Sequence, residues 1–418
     1  MRFEHVILWH AYPLGFVDAE RENPPGAPVQ HRLPRLEAWL DHVVELGANG
    51  LQLGPVFDSE THGYDTRDHL RIDPRLGDED DLRALVAAAH DRGVKVVLDG
   101  VFNHVGRSFE RFVQAEAGDE SAARWFRRSG DGWADFEGHS ALVLLNHDSQ
   151  EVRAYVIDVM RHWLDLGIDG WRLDAAYAVP TAFWRAVADA VHESHPHAWL
   201  LGEVIHGDYI EFVAESGLDS VTQYELWKAI WSSLNDANPF ELAWSLGRHR
   251  DMVAAFLPTL FVGNHDTTRI ASALTDARHL PHALTVLLTA GGIPAIYAGD
   301  EEGFTGVKED RAGGDDAVRP PFPDDPSGLS PLGEPVLRLH QRLIALRRRK
   351  PWLVDGVYEQ VSVDDDALVY RMTARDGADA ITVALNMSDG PIEVAFRDGE
   401  RILEGGLGPH EAAVIGTD

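Results

Sequence analysis

The sequence predicts an α/β fold: a (β/α)8 barrel with a short insert after its third strand and a C-terminal antiparallel β domain. Three observations point there. Short apolar runs alternate with longer amphipathic stretches through most of the 418 residues, which argues for βα units and a parallel sheet. Eight such runs can be counted, more than a doubly wound sheet usually holds. From about residue 356 the pattern changes to plain alternation, the mark of antiparallel strands with one buried face.

The eight barrel strands are expected at residues 6–15, 50–56, 95–102, 170–175, 199–204, 220–224, 259–262 and 293–297. The clearest helical stretches between them are residues 35–46, 80–91, 152–166, 183–192 and 281–289. Asp78, Glu79, Asp80 and Asp81 put acids at the positive end of the second of these, and Gly93 follows its last turn. Residues 103–149 contain no βα unit and read as an inserted segment, which leaves 1–102 and 150–355 as the barrel. Residues 306–330 form a polar loop rich in Gly, Asp and Pro, and a last helix is expected at 336–350. The remainder, 356–418, is expected to be a β-sandwich domain with strands at 358–363, 367–373, 380–386, 393–396 and 412–415.

Composition excludes several kinds of chemistry. The chain has no cysteine, so disulfides, thiolate metal sites and a cysteine nucleophile are out. Acidic residues outnumber basic ones 68 to 37, a net charge of −31 that repels nucleic acid and anionic membranes and suits a neutral substrate, besides keeping the protein in solution. The N-terminus lacks the pattern of a signal peptide. The most apolar stretch, residues 284–299, is broken by Gly291, Gly292 and Pro294 and is too short to span a bilayer. A cytoplasmic protein with neither nucleic acid nor membrane as partner is expected.

In a (β/α)8 enzyme the chemistry sits at the C-terminal ends of the strands. Read in order, those ends carry Asp99 with Asn103 and His104, then Arg172 with Asp174, then Glu203, then Asn264, His265 and Asp266. One carboxylate after an apolar strand is commonly a helix cap or half of an ion pair. Four polar clusters on four strand ends are much harder to explain as structure, because burying a charge is costly unless it is paired or used.

Four segments, Asp99-Gly-Val-Phe-Asn103-His104, Gly170-Trp-Arg172-Leu-Asp174, Gly202-Glu203-Val204 and Phe261-Val-Gly-Asn264-His265-Asp266, resemble the four signature regions of glycoside hydrolase family 13, the α-amylase family. Flanking matches are His62-Gly63-Tyr64-Asp65 after strand two and the run from Gly292 to Glu301 on strand eight. The resemblance implies Asp174 as nucleophile, Glu203 as acid and then base, and Asp266 as the third carboxylate, which binds ring hydroxyls of a distorted sugar. It gives Arg172 the task of holding Asp174, and His104 and His265 that of bonding hydroxyls of the same sugar. Tyr64 is placed to stack on that sugar and His62 to bond its 6-hydroxyl. Asp65, Asp315 and Arg319 are expected to form a second group, in which Asp315 and Arg319 anchor the non-reducing side. Asp99 is expected to bond Arg172 rather than substrate. Asn103 is a calcium ligand in many amylases, but Tyr177-Ala178 replaces the Lys-His pair that completes that site, so no metal or other cofactor is expected.

Within the family, the segment from Asp99 to Arg107 with Trp125, Phe126 and Asn146 is most similar to neopullulanase, cyclomaltodextrinase and maltogenic amylase. Those enzymes have an additional N-terminal β domain, and this chain starts almost at its first barrel strand. The expected substrate is an α-glucan oligosaccharide cleaved at α-1,4 bonds with retention. The alternatives are glycosyl transfer, an exo-acting α-glucosidase, or a silent sugar-binding relative. Against the last stands the matched Asp174, Glu203 and Asp266 set. Oligomeric state has no signature in the sequence.

Overall fold

Eight parallel strands form one sheet in the computed structural model, which describes residues 3–417 apart from residue 312. They are β1 (Leu8–Ala11), β2 (Gly50–Leu53), β3 (Lys95–Gly100), β4 (Gly170–Leu173), β5 (Trp199–Gly202), β6 (Ser220–Val221), β7 (Thr259–Leu260) and β8 (Ile293–Tyr297). Their order is β6-β5-β4-β3-β2-β1-β8-β7, so each strand lies beside its neighbour in sequence. A bridge between Thr222 and Thr259 joins the two ends of the sheet, and the Gln223 N–H donates to the Thr259 carbonyl at 2.9 Å. A sequential parallel sheet that closes on itself is the (β/α)8 barrel.

Side chains alternate along a strand, and this decides where the charges go. Outward residues such as Trp9, Leu51, Leu98 and Trp171 pack beneath the surrounding helices in the main core. Inward residues Leu8, Val97, Leu201, Phe261 and Ile293 fill the lower barrel as a separate cluster. Gly50 faces the same space without a side chain: a Cβ there would meet Val6 and Leu8 at 2.6 and 2.8 Å. One pleat higher, two residues on in each strand, the inward positions are His10, Gln52, Asp99, Arg172 and Glu203, all buried. The interior thus changes from apolar to charged within a single layer.

The helices follow their capping chemistry. Asp78 accepts from the N–H groups of Asp80 and Asp81 and starts Glu79–Asp91, while Asp81 returns the bond in a capping box. Ser149 caps Gln150–Leu166, which stops at Gly167. The expected helix at 35–46 is two shorter pieces, Pro34–Glu37 and Leu40–Leu46. The expected strand at 6–15 ends at Ala11, because Pro13 opens a helical turn over Pro13–Phe16. No helix among the described residues is long and apolar enough to cross a membrane.

After the helix Glu334–Arg349, five strands form one antiparallel sheet: β9 (Val357–Val363), β10 (Ala367–Thr373), β11 (Ala380–Asn386), β12 (Arg401–Gly405) and β13 (Ala412–Gly416), in the order β9-β10-β11-β13-β12. The fourth strand is not residues 393–396, as alternation suggested, but Arg401–Gly405, whose residues pair with β13. Ile392 and Val394 instead lie across the sheet and cover Val369, Ala384, Ala413 and Ile415 without joining a ladder. The opposite face rests on the barrel helices: Tyr370 shares a 2.8 Å hydrogen bond with Thr289, and the Asn386 carbonyl lies 2.9 Å from His282 Nε2.

Candidate active site

A cleft of about 750 Å³ opens above the C-terminal ends of the strands. Its floor is organised by Arg172. Nη1 donates to both oxygens of Asp99 at 2.8 Å and to Oδ1 of Asp174 at 2.9 Å. Nη2 reaches Oε1 of Glu203 at 2.6 Å. Strand register explains the convergence, since Arg172 pairs with Asp99 on one side and Leu201 on the other. Glu203 stands two residues beyond Leu201 and Asp174 two beyond Arg172, so all point inward. Asp99 does bond Arg172, with both of its oxygens.

Glu203 is held from two further directions. The Ala175 N–H donates to Oε2 at 3.0 Å, and the Tyr224 hydroxyl donates to Oε1 at 3.1 Å. Asn264 in turn donates to the Tyr224 hydroxyl at 2.9 Å. Asp266 faces this pair across the cleft. Arg319 donates to its Oδ1 at 2.6 Å, and His265 Nε2 lies 3.0 Å from Oδ2. Arg319 also reaches Asp315 at 3.2 Å and stacks over the Tyr12 ring at 4.5 Å. Asp315 and Arg319 are therefore members of the site, with Arg319 nearly buried against it.

These contacts set the charge states. Burial drives the Asp174 carboxyl well above its ordinary range; Arg172 opposes that, and the charges of Glu203, Asp99 and Asp266 add to it. Burial would also raise Asp266, but His265, Arg319 and Arg172 outweigh it and hold that carboxyl well below the ordinary range. Four carboxyl groups, on Asp99, Asp174, Glu203 and Asp266, thus face two guanidiniums, on Arg172 and Arg319. Such an excess favours keeping one proton within the cluster.

His104 is buried beside Asp174, with Nε2 4.0 Å from Asp174 Oδ2. Asn103 donates its amide to His104 Nδ1 at 3.1 Å, which puts the ring proton on Nε2. That nitrogen has no partner among the described residues, so it is a donor left open toward the cleft. Burial first, then the charge of His62, lowers the His104 pKa to about 3, so the ring is neutral at working pH. Tyr64 lines the cleft, with its hydroxyl 3.2 Å from Asp99 Oδ2 and bonded to His265 Nε2. His62 lines it too, and its carbonyl accepts from Tyr12 at 2.7 Å.

Asp65 does not join this group. Its carboxylate accepts the N–H and hydroxyl of Thr61 at 3.0 and 2.5 Å, and so shapes the hairpin turn that presents His62 and Tyr64. Sequence reasoning passed over Tyr12 and Tyr224, although each lies just past a strand end. It also passed over a flank from the insert and the strand-four and strand-five loops, where Phe136, Leu142, Tyr177 and Ile205 line the cleft. Asn103 spends its amide on His104, and Tyr177 turns its hydroxyl to Glu137 at 2.7 Å.

A family model described as alpha amylase, catalytic domain, matches residues 33–327. A cyclomaltodextrinase from a Bacillus species is 31% identical over 83% of this chain and 64% of its own length. A maltogenic alpha-amylase from Bacillus acidopullulyticus is 30% identical over 93% of this chain and 70% of its own. The chain thus spans a little under two thirds of the first of these relatives. Among solved structures, a cyclic α-maltosyl-(1→6)-maltose hydrolase from Arthrobacter globiformis superposes with a TM-score of 0.83 at 26% identity, covering 99% of this chain and 98% of that one.

Proposed function

Because this chain belongs to the alpha-amylase family, we propose that it is a retaining glycoside hydrolase cleaving α-1,4 bonds in maltooligosaccharides or related short α-glucans. One observation carries the reading. Asp174 and Glu203, on adjacent strands, are held by the two terminal nitrogens of one guanidinium at 2.9 and 2.6 Å. Retaining enzymes keep their carboxyl groups about 5–5.5 Å apart, and a single guanidinium between them supports a spacing of that order.

In the first step Glu203 gives a proton to the glycosidic oxygen while Asp174 attacks the anomeric carbon. The bond to the leaving sugar breaks and a glycosyl ester forms. In the second step Glu203 takes a proton from water, the water oxygen attacks the same carbon, and Asp174 leaves as carboxylate. Two inversions amount to retention. Asp266, kept ionised, stabilises positive charge that develops on the ring. His104 Nε2 donates to a hydroxyl of that sugar.

Linkage preference is read from Ala175, which follows the nucleophile in the left-handed region at φ 44°. A β-branched residue is strongly disfavoured in that conformation, so the small side chain is part of the backbone design. Open space beside the nucleophile suits an α-1,4 acceptor, with discrimination of about 1–3 kcal/mol. A second reading, glycosyl transfer, is favoured by the apolar flank of Phe136, Leu142, Tyr177 and Ile205 along the cleft, on which an acceptor sugar can stack.

NMR of the first products from maltotriose should show α-anomers, and β-anomers would overturn the retaining mechanism. For linkage, kcat/KM on maltotriose should exceed that on isomaltose and panose. The reverse order would sink the α-1,4 preference alone. Product profiles on cyclodextrins, pullulan and added acceptor sugars separate hydrolysis from transfer.

A further inference from the structure

Far from the cleft, the loop after β7 meets the turn before β13. We propose that Asp276 and His279 from the first, with His410 from the second, form a transition-metal site, of the kind that takes Zn²⁺, which clamps the C-terminal sheet to the barrel. One ligand atom from each residue lies within 4.8 Å of the other two. His279 Nε2 and His410 Nδ1 face each other at 3.0 Å. Nitrogens bound to one tetrahedral zinc, at about 2.0–2.1 Å from the metal, are roughly 3.3 Å apart, so the rings need separate by only a few tenths of an ångström.

The surroundings favour a ligand set over a mere stacking of rings. The other nitrogen of His410, Nε2, bonds Asp389 Oδ1 at 2.9 Å, which places the proton there and leaves the Nδ1 lone pair facing His279. A carboxylate behind a histidine in this way is the usual outer support of a metal-bound imidazole. His279 is buried. Asp276 Oδ1 accepts the Arg278 N–H at 2.9 Å and its Nε at 3.0 Å, and Oδ2 accepts Nε at 3.0 Å and Nη2 at 2.6 Å, so a metal takes this carboxylate by displacing one guanidinium contact. Two imidazoles and one carboxylate without thiolate suit zinc, nickel, cobalt or copper rather than calcium or magnesium. The other acid-histidine cluster, His31 with Asp78 and Asp81, has no buried histidine, because its one ring, His31, is exposed.

The test uses the full chain freed of metal by chelation. Titration with Co²⁺ should give the intense visible bands of a four-coordinate nitrogen and oxygen site, and Zn²⁺ should abolish them. Added Zn²⁺ should raise Tm in proportion to the logarithm of its concentration, since it binds the folded state. His410→Asn, which tolerates the positive φ of 55° at that position, and Asp276→Asn should each remove both signals. Both variants should hydrolyse maltooligosaccharides at the wild-type rate in metal-free buffer. Co²⁺ bands or a Tm rise that survive in both variants, or that vanish with His31→Ala instead, would overturn the site. So would a wild-type chain that shows neither signal. Activity on glucans is read separately, so this site and the proposed function can fail independently.

Discussion

The floor and the rim of the cleft are both lined with charge, yet they are built differently. At the floor, the side chains of Asp99, Arg172, Asp174 and Glu203 are each no more than 10% exposed, and the three carboxylates share the one guanidinium. At the rim, Arg21 pairs with Asp316 at 76% and 55% exposure, and Lys308 pairs with Asp315 at 3.3 Å and 40% and 35%. Buried pairs are costly to break, because the partner left behind is an uncompensated charge, whereas exposed pairs are worth about 0–1 kcal/mol. Chemistry is therefore assigned to the floor and tuning of substrate fit to the rim. Mutation should separate the two by orders of magnitude.

The largest effect belongs to Asp174→Asn, which keeps the shape and removes the nucleophile. Its kcat should fall by roughly 10⁴-fold or more while maltooligosaccharide binding persists by calorimetry. If the wild type were equally inactive, the silent sugar-binding reading would take over. Next is Arg172→Lys, which keeps one charge but cannot reach three carboxylates. It should cost about 3 kcal/mol of stability in denaturant unfolding and lower kcat at least roughly a hundredfold. A variant with wild-type stability would show that the floor is not the tightly coupled network described.

Smaller is the effect of His104→Gln, which removes one donor to the sugar. A loss of about tenfold in kcat/KM is expected. The sign of its pH dependence is fixed by burial: a pKa lowered to about 3 leaves the ring neutral above about pH 4. The kcat/KM profile of the variant between pH 5 and pH 9 should therefore keep the wild-type shape. Movement of either limb would mean that His104 titrates during turnover. Smallest is Lys308→Ala at the rim. It should change kcat by less than about twofold and act, if at all, on KM for longer chains. A hundredfold loss there would erase the distinction between floor and rim.

Much of this was legible in sequence, for physical reasons that differ from residue to residue. Asp174, Glu203 and Asp266 could be found because a period of two puts strand-end residues inside the barrel and because their motifs occur in order. The eight strands were legible for the same reason, though residues 6–15 overran a helical turn that Pro13 begins. Asp65 was misplaced because its motif position says nothing about Thr61, whose N–H and hydroxyl occupy the carboxylate. Asp300 and Glu301 follow β8 much as Asp174 follows β4, yet they are structural. Asp300 pairs with buried Arg269 at 2.7 Å, and Glu301 accepts from Trp9 at 2.8 Å. Their partners lie dozens to hundreds of residues away, so no local pattern marks the difference. Tyr224 was missed because the expected strand 220–224 absorbed it, whereas the strand ends at Val221 and Tyr224 opens the helix Tyr224–Asp236. Residues 393–396 alternate like a strand but cover a sheet face, a distinction set by packing rather than pattern.

The central claim, that Asp174 is a covalent nucleophile paired with Glu203, is tested most directly by trapping the glycosyl-enzyme. A maltosyl fluoride carrying a further fluorine on the reacting ring slows both steps and, with a good leaving group, the second more than the first. After incubation and proteolysis, mass spectrometry should find one added fluoromaltosyl unit on the peptide containing Asp174, and none when Asp174→Asn is used. An adduct on another carboxylate, or steady turnover of the fluoride with no adduct on any peptide, would contradict the account.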